Sequence, residues 1–188
     1  LRISIDLRLQ YLAYRTLKAA VKKHNARSGS VVILDVQTGE VLAMANQPTY
    51  NPNDRSQFVA ARYRNRAITD IFEPGSSIKP LIIAAALESG QYHPSSLVDT
   101  SPGHITVGAK KIEDHQNLGR ISLTTILARS SNVGVTKLAM TLQSDQLWGT
   151  VSQFGLGEMT SSGFPGESAG MLTHYSNWRP ISQATIAY

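Results

Sequence analysis

Cysteine is absent from the 188 residues of this chain. Disulfides, zinc–thiolate sites and thiol catalysis are thereby excluded, and the absence fits an oxidising compartment. Charge is sparse too: Asp, Glu, Lys and Arg make up 16% of the residues, against the roughly 25% of an average soluble domain. With 41% hydrophobic residues, the chain can bury a real core and is neither disordered nor heavily solvated. Long apolar runs are missing. The longest, Leu81 to Leu87, falls far short of the ~20 residues a membrane span needs. No signal peptide, internal repeat or low-complexity segment is visible. The net charge is +5, but the basic residues are dispersed, with Lys22-Lys23 and Arg62 to Arg66 the densest groups. No RNA-binding or helix-turn-helix signature accompanies them, so the excess reads as a solvated basic surface and no nucleic-acid partner is expected. The five histidines, His24, His93, His104, His115 and His174, lack the paired spacing of a metal site. Asp114-His115 could be half a metal site, but it reads rather as a surface contact.

What is present suggests an α+β fold. Arg2 to Ile5 reads as a short strand, and Asp6 as an N-cap. Leu9, Leu12, Ala13, Leu17, Ala20 and Val21 then recur at helical spacing up to about Lys23. Val31 to Val36 and Val41 to Asn46 are rich in β-branched residues and flank Gln37-Thr38-Gly39-Glu40. They predict an antiparallel hairpin, with Gly39 supplying positive φ. Pro48 to Asp54 is a loop. Ile78 to Leu87 predicts an apolar helix buried on most sides and ended by Ser89-Gly90. Gln91 to Gly119 reads as a surface insertion with short strand-like pieces. Further helices are expected over Ser122 to Arg129, Val133 to Leu142 and Asp145 to Phe154. Strand, helix, hairpin and a helix cluster imply one mainly antiparallel sheet flanked by helices.

Chemistry concentrates in Glu73-Pro74-Gly75-Ser76-Ser77-Ile78-Lys79-Pro80. Proline fits only the first helical turn, so Pro80 places the helix start at about Ser76 or Ser77. Lys79 then lies one turn from Ser76 on the same face. The positive end of the helix dipole and an apolar setting both disfavour an ammonium there. A neutral amine beside a hydroxyl can act as its general base, and free N–H groups at the helix start can hold an oxyanion. The plain alternative is a capping serine with a surface lysine. Glu73 reads as support for the helix dipole. Ser130-Ser131-Asn132 lies between two predicted helices. Its hydroxyls can pass a proton and its amide can hold a substrate amide. The competing reading is that Ser131 or Asn132 merely caps the helix from Val133. Gly166-Glu167-Ser168-Ala169-Gly170 matches the G-x-S-x-G elbow, but loop-like sequence on both sides argues against it. Trp148 and Trp178 read as packing residues or loop anchors.

Taken together, S-x-x-K at Ser76, which occurs nowhere else in the chain, and S-x-N at Ser130 resemble the penicillin-binding protein and serine β-lactamase superfamily, whose third motif is K-T-G. More specifically the chain resembles the class B transpeptidases of the septal, cell-division branch. The matching stretches are Ser4-Ile5-Asp6 with Leu9-Gln10, Val36 to Met44, Arg64-Asn65-Arg66 with Asp70, Phe72 to Pro80, Ser130 to Val135, Phe154 to Gly157, and Pro165-Gly166-Glu167. The resemblance spans essentially the whole chain. It implies a β-lactamase/transpeptidase-like fold and a D,D-transpeptidase that cross-links peptidoglycan stem peptides ending in D-Ala-D-Ala and is acylated by β-lactams. Ser76 would form the acyl-enzyme, Lys79 would be its base, Ser130 would relay the proton to the leaving amine, and Asn132 would bind the peptide amide. No metal or organic cofactor is implied. The expected partners include division-complex membrane proteins. The expected location is the periplasmic face of the bacterial inner membrane, through an anchor upstream. Lys-Thr-Gly does not occur in this chain. Because it starts at Leu1 and ends within an apolar stretch at Tyr188, residues 1–188 are expected to be the N-terminal part of the transpeptidase domain, truncated before the K-T-G strand and inactive alone. Two rival readings remain: a hydrolytic relative, such as a carboxypeptidase or β-lactamase, and a non-catalytic sensor or scaffold of the same fold.

Overall fold

The computed structural model describes residues 3–54, 56 and 59–188. The chain forms two compact units: Leu1–Ile71 with Ser161–Ser168, and Phe72–Thr160 with Ala169–Tyr188.

In the first unit, helix α1 (Leu7–Lys23) packs on an antiparallel hairpin of β1 (Gly29–Leu34) and β2 (Val41–Gln47). The Asp6 carboxylate accepts from the N–H groups of Arg8 and Leu9 at 2.8 and 3.1 Å, capping α1 as expected. Leu9, Ala13, Leu17 and Val21 recur every fourth residue and form the stripe that meets Ala43 and Ala45. Leu12 and Ala20 lie off that stripe and are exposed, unlike the expectation from spacing alone. The Gln10 side chain completes the junction. Its Nε2 donates to Met44 O and its Oε1 accepts from Met44 N–H, both at 2.8 Å. The expected opening strand is not formed. Arg2 lies outside the described residues, and Ile3 to Ile5 make no ladder. Instead Ser4 Oγ donates to Val41 O and Asp6 N–H to Leu42 O. The segment turns at once into the α1 cap, so two bonds are all it can add. Short helices α2 (Ala60–Tyr63) and α3 (Arg66–Thr69) complete the unit. Arg64 and Arg66 both pair with Asp70, at 2.6 and 2.8 Å.

The second unit is built around α4 (Lys79–Glu88), entered through a 3₁₀ turn, Gly75–Ile78. It is followed by β3 (Leu97–Asp99), β4 (His104–Val107), β5 (Lys110–Glu113), β6 (Arg120–Ser122), α5 (Leu123–Arg129), α6 (Asn132–Thr141), α7 (Ser144–Gln153) and α8 (Pro180–Thr185). Ile82, Ile126, Val135, Leu138, Leu147 and Val151 form the centre of its core. The α+β, antiparallel character is as expected, but the strands pair off in twos, β1–β2, β3–β6 and β4–β5. The segment 91–119 is more than a surface insertion. Val107 and Ile112 are buried with Ala184 of α8, and Thr100 is fully buried. At the other end of α6, Gln183 Nε2 donates to Ala139 O and Leu142 O, both at 2.8 Å, satisfying carbonyls that a helix end leaves free.

Candidate active site

The first motif folds as its prolines and glycine require. Pro74 sits in the right-handed region and Gly75 at φ +59°, a conformation that costs glycine least. Together they swing the chain into the 3₁₀ turn, and Pro80 occupies the first turn of α4, where its missing N–H costs nothing. Ser76 is exposed, whereas Lys79, one turn later, is 1% exposed. Glu73 stands ahead of Pro74, and neither the 3₁₀ turn nor α4 has an acidic residue in its first turn, so the expected dipole role is not seen.

The second motif divides its labour by residue. Ser130 ends α5 in the left-handed region at φ +53°, unusual for a residue other than glycine. Ser131 is the N-cap of α6, its Oγ accepting from Gly134 N–H at 2.8 Å. The capping reading therefore holds for Ser131, and Ser130 and Asn132 are left to face Lys79. There is no room for a side chain at 134: a Cβ would stand 2.7 Å from Ile126 Cγ1 and 3.0 Å from Ser131 Oγ.

The two motifs meet at the Lys79 amine. Its Nζ lies 2.6 Å from Ser130 O, 2.8 Å from Ser130 Oγ and 2.7 Å from Asn132 Oδ1. Ser130 Oγ donates in turn to Ser76 Oγ at 3.0 Å. The hydroxyl of Ser130 therefore stands between the Lys79 amine and the Ser76 hydroxyl, a step the spacing of Ser76 and Lys79 does not reveal. All four residues expected at the site are thus brought together. Burial pushes the Lys79 amine below the ordinary lysine value, and the Asp114 carboxylate opposes that shift. The polarity of the hydroxyl chain follows the charge on Lys79. An ammonium donates to all three acceptors, and the chain runs from Lys79 through Ser130 to Ser76. A neutral amine keeps two donors for Ser130 O and Asn132 Oδ1 and offers a lone pair to the Ser130 hydroxyl. The chain then reverses, and the Ser76 proton has a path out.

Asn132 is held at both ends of its amide, since Nδ2 also donates to Glu113 O at 3.1 Å. Asp114, read from the sequence as a surface residue, is the member that sequence reasoning missed. It accepts from Ser131 Oγ, Asn132 N–H and Val133 N–H. A pocket of about 220 Å³ opens over Ser76, Ser130 and Asn132, with His115, Gln116 and Arg129 on its walls. The other candidates fall away. Ser168 lies in an irregular stretch with no strand before it and no helix after it, so no nucleophile elbow is built there. Trp178 anchors a loop by donating from Nε1 to Thr173 O at 2.9 Å, and Trp148 packs against the His174 ring. Among the described residues, no group of three or more His, Asp or Glu is placed to hold a metal ion.

Comparison with known proteins gives the family. The family described as "Penicillin binding protein transpeptidase domain" matches residues 29–188. The chain belongs to this family. Among curated members of the penicillin-binding transpeptidases, it is 46% identical over 188 residues to the peptidoglycan D,D-transpeptidase FtsI of Escherichia coli, covering all of this chain and 32% of that protein. It is 41% identical over 186 residues to the probable peptidoglycan D,D-transpeptidase PenA of Neisseria gonorrhoeae, covering 99% of this chain and 32% of that one. The solved transpeptidase domain of Burkholderia pseudomallei penicillin-binding protein 3 superposes with a TM-score of 0.87 at 40% identity, over 99% of this chain and 52% of that one. A structure described as a peptidoglycan glycosyltransferase from Burkholderia ambifaria gives 0.88 at 41% identity, over 100% of this chain and 55% of that one. The chain thus spans about a third of the length of these curated relatives.

Proposed function

We propose that this chain is the N-terminal part of the transpeptidase domain of a peptidoglycan D,D-transpeptidase acting in septal wall synthesis, and that Ser76 is its nucleophile. The observation that carries the reading is the continuous path Ser76–Ser130–Lys79, with a buried amine at its inner end and an exposed hydroxyl at its outer end. In the first half-reaction Ser76 Oγ attacks the penultimate D-Ala carbonyl of a stem peptide. Its proton passes through Ser130 to Lys79, while N–H groups at the helix start stabilise the oxyanion. The C–N bond then breaks. Ser130 returns a proton to the departing D-Ala amine, and the acyl group stays on Ser76 as an ester. Asn132 holds the substrate amide with the hydrogen-bonding capacity that Lys79 and Glu113 leave it. In the second half-reaction an amine of a neighbouring stem attacks the ester, forms the cross-link and frees Ser76. A β-lactam enters at the same step and remains attached. Division-complex partners and a membrane-anchored, periplasmic setting belong to the same proposal; the naming of the relatives as peptidoglycan D,D-transpeptidases supports an envelope setting.

The test is mass spectrometry of the full-length protein after penicillin treatment. A mass increase equal to one penicillin should map to Ser76 and vanish in Ser76→Ala. An adduct that persists in Ser76→Ala overturns the assignment. Lasting label fits a transpeptidase, whereas rapid loss of label would mean a hydrolase instead.

A further inference from the structure

The three serine and asparagine groups that surround Lys79 do not hold themselves in place. Ser130 sits in the left-handed backbone region, which is costly for a residue other than glycine, and such a residue persists only where its surroundings over-determine it. The N–H of Ser130 donates to Leu127 O and that of Ser131 to Ile126 O, while the residues that follow are tied down largely by one side chain. Asp114 Oδ1 accepts from Asn132 N–H at 2.6 Å and Val133 N–H at 3.0 Å, and Oδ2 accepts from Ser131 Oγ at 2.6 Å. Ser131 in turn takes Gly134 N–H. The carboxylate and the serine between them therefore satisfy three successive N–H groups at the start of α6. The bonds to the Asp114 carboxylate are charge-assisted, the stronger kind, and they meet the positive end of a helix dipole.

Asp114 is not part of α6. It follows directly on β5, and its own N–H donates to Gly103 O at 2.9 Å, so the carboxylate is rooted in the β4–β5 ladder. Its neighbour Glu113, the last residue of β5, offers the carbonyl that takes Asn132 Nδ2. Two consecutive residues thus grip both the backbone and the side chain of position 132. With three donors on its two oxygens, Asp114 is engaged as a clamp. We propose that Asp114 is a positioning residue for acyl transfer: by clamping the start of α6 to the β4–β5 ladder, it holds Ser130 and Asn132 against Lys79. The inference rests on the acyl-transfer reading given above.

The experiment measures acylation of the full-length protein by a fluorescent penicillin, with the covalent rate separated from non-covalent binding, and thermal melting alongside. In Asp114→Ala the covalent rate should fall by about 10²-fold, the scale of a displacement near 1 Å at a reacting group, in protein that still melts cooperatively. Asp114→Asn can still accept the two N–H groups and meet Ser131, and it should recover most of the rate. Should the alanine variant not fold, Asp114→Glu decides: it keeps the charge but shifts the oxygens by a methylene, and it should fold and acylate more slowly. Parental rates in Asp114→Ala or Asp114→Glu overturn the proposal. So does an asparagine variant as slow as the alanine one, which would assign the effect to charge rather than to placement. Absence of label on parental Ser76 would instead overturn the acyl-transfer reading itself.

Discussion

Lys79 decides the chemistry at the scale of a single residue, because its charge sets the direction of the hydroxyl chain. Burial lowers its pKa from 10.5 and the Asp114 carboxylate works against that. In the proposed reaction the neutral amine is the reactive form, so the acylation rate should rise with pH and level off as Lys79 loses its proton. The midpoint should lie below 10.5, and should fall further in Asp114→Asn, where the opposing charge is gone. A pH–rate profile with its midpoint at or above the ordinary lysine value would refute this. Stability follows the same sign. Between the lowered folded value and the unfolded one, the unfolded chain binds more protons than the folded chain, so stability should climb with pH across that window. Lys79→Met should flatten that climb, which melting curves across the window can check.

Elements are fixed to one another by side-chain amides in both units. Gln10 joins α1 to β2 through two bonds to Met44, and Gln183 closes the C-terminus of α6. Replacing Gln10 with alanine leaves Met44 N–H and O short of their partners and should cost about 1–3 kcal/mol in chemical denaturation. Gly134→Ala should cost a similar amount, about 1–3 kcal/mol, by overpacking against Ile126. Elements of this kind were readable from sequence wherever the signal was local. Asp6 announced α1, Gly39 the hairpin turn, and Pro80 a helical turn at Ser76 that put Ser76 and Lys79 together, although that turn is 3₁₀ and α4 itself begins at Lys79. The convergence of Ser130 and Asn132 on Lys79 came from resemblance, since no local rule joins residues so far apart. Asp114 escaped notice for the same reason. Its three partners are 17–19 residues away, and it lies in a Gly- and Pro-bearing stretch whose polar residues look solvated. Of the strand expected at Arg2 to Ile5, the described residues Ile3 to Ile5 form no ladder, because the chain enters the Asp6 cap of α1 before one can build.

For the molecule as a whole, the two units carry unequal cores. Ala13, Leu17, Ala43 and Ala45 are the buried heart of the first, while the second buries Ile82, Ile126, Leu138, Leu147 and their neighbours. Alanine offers little apolar area, so the first unit should open more readily. Hydrogen exchange on the full-length protein should show slower exchange in α4 and α6 than in α1 and β2. Equal protection would count against the argument. The left-handed backbone at Ser130 sets local ease against collective purpose. Glycine there would relieve about 1 kcal/mol of torsional cost, so Ser130→Gly should melt no lower than its parent and yet form no acyl-enzyme. On the proposed reading, a change that makes the molecule sturdier at this position would also leave it idle.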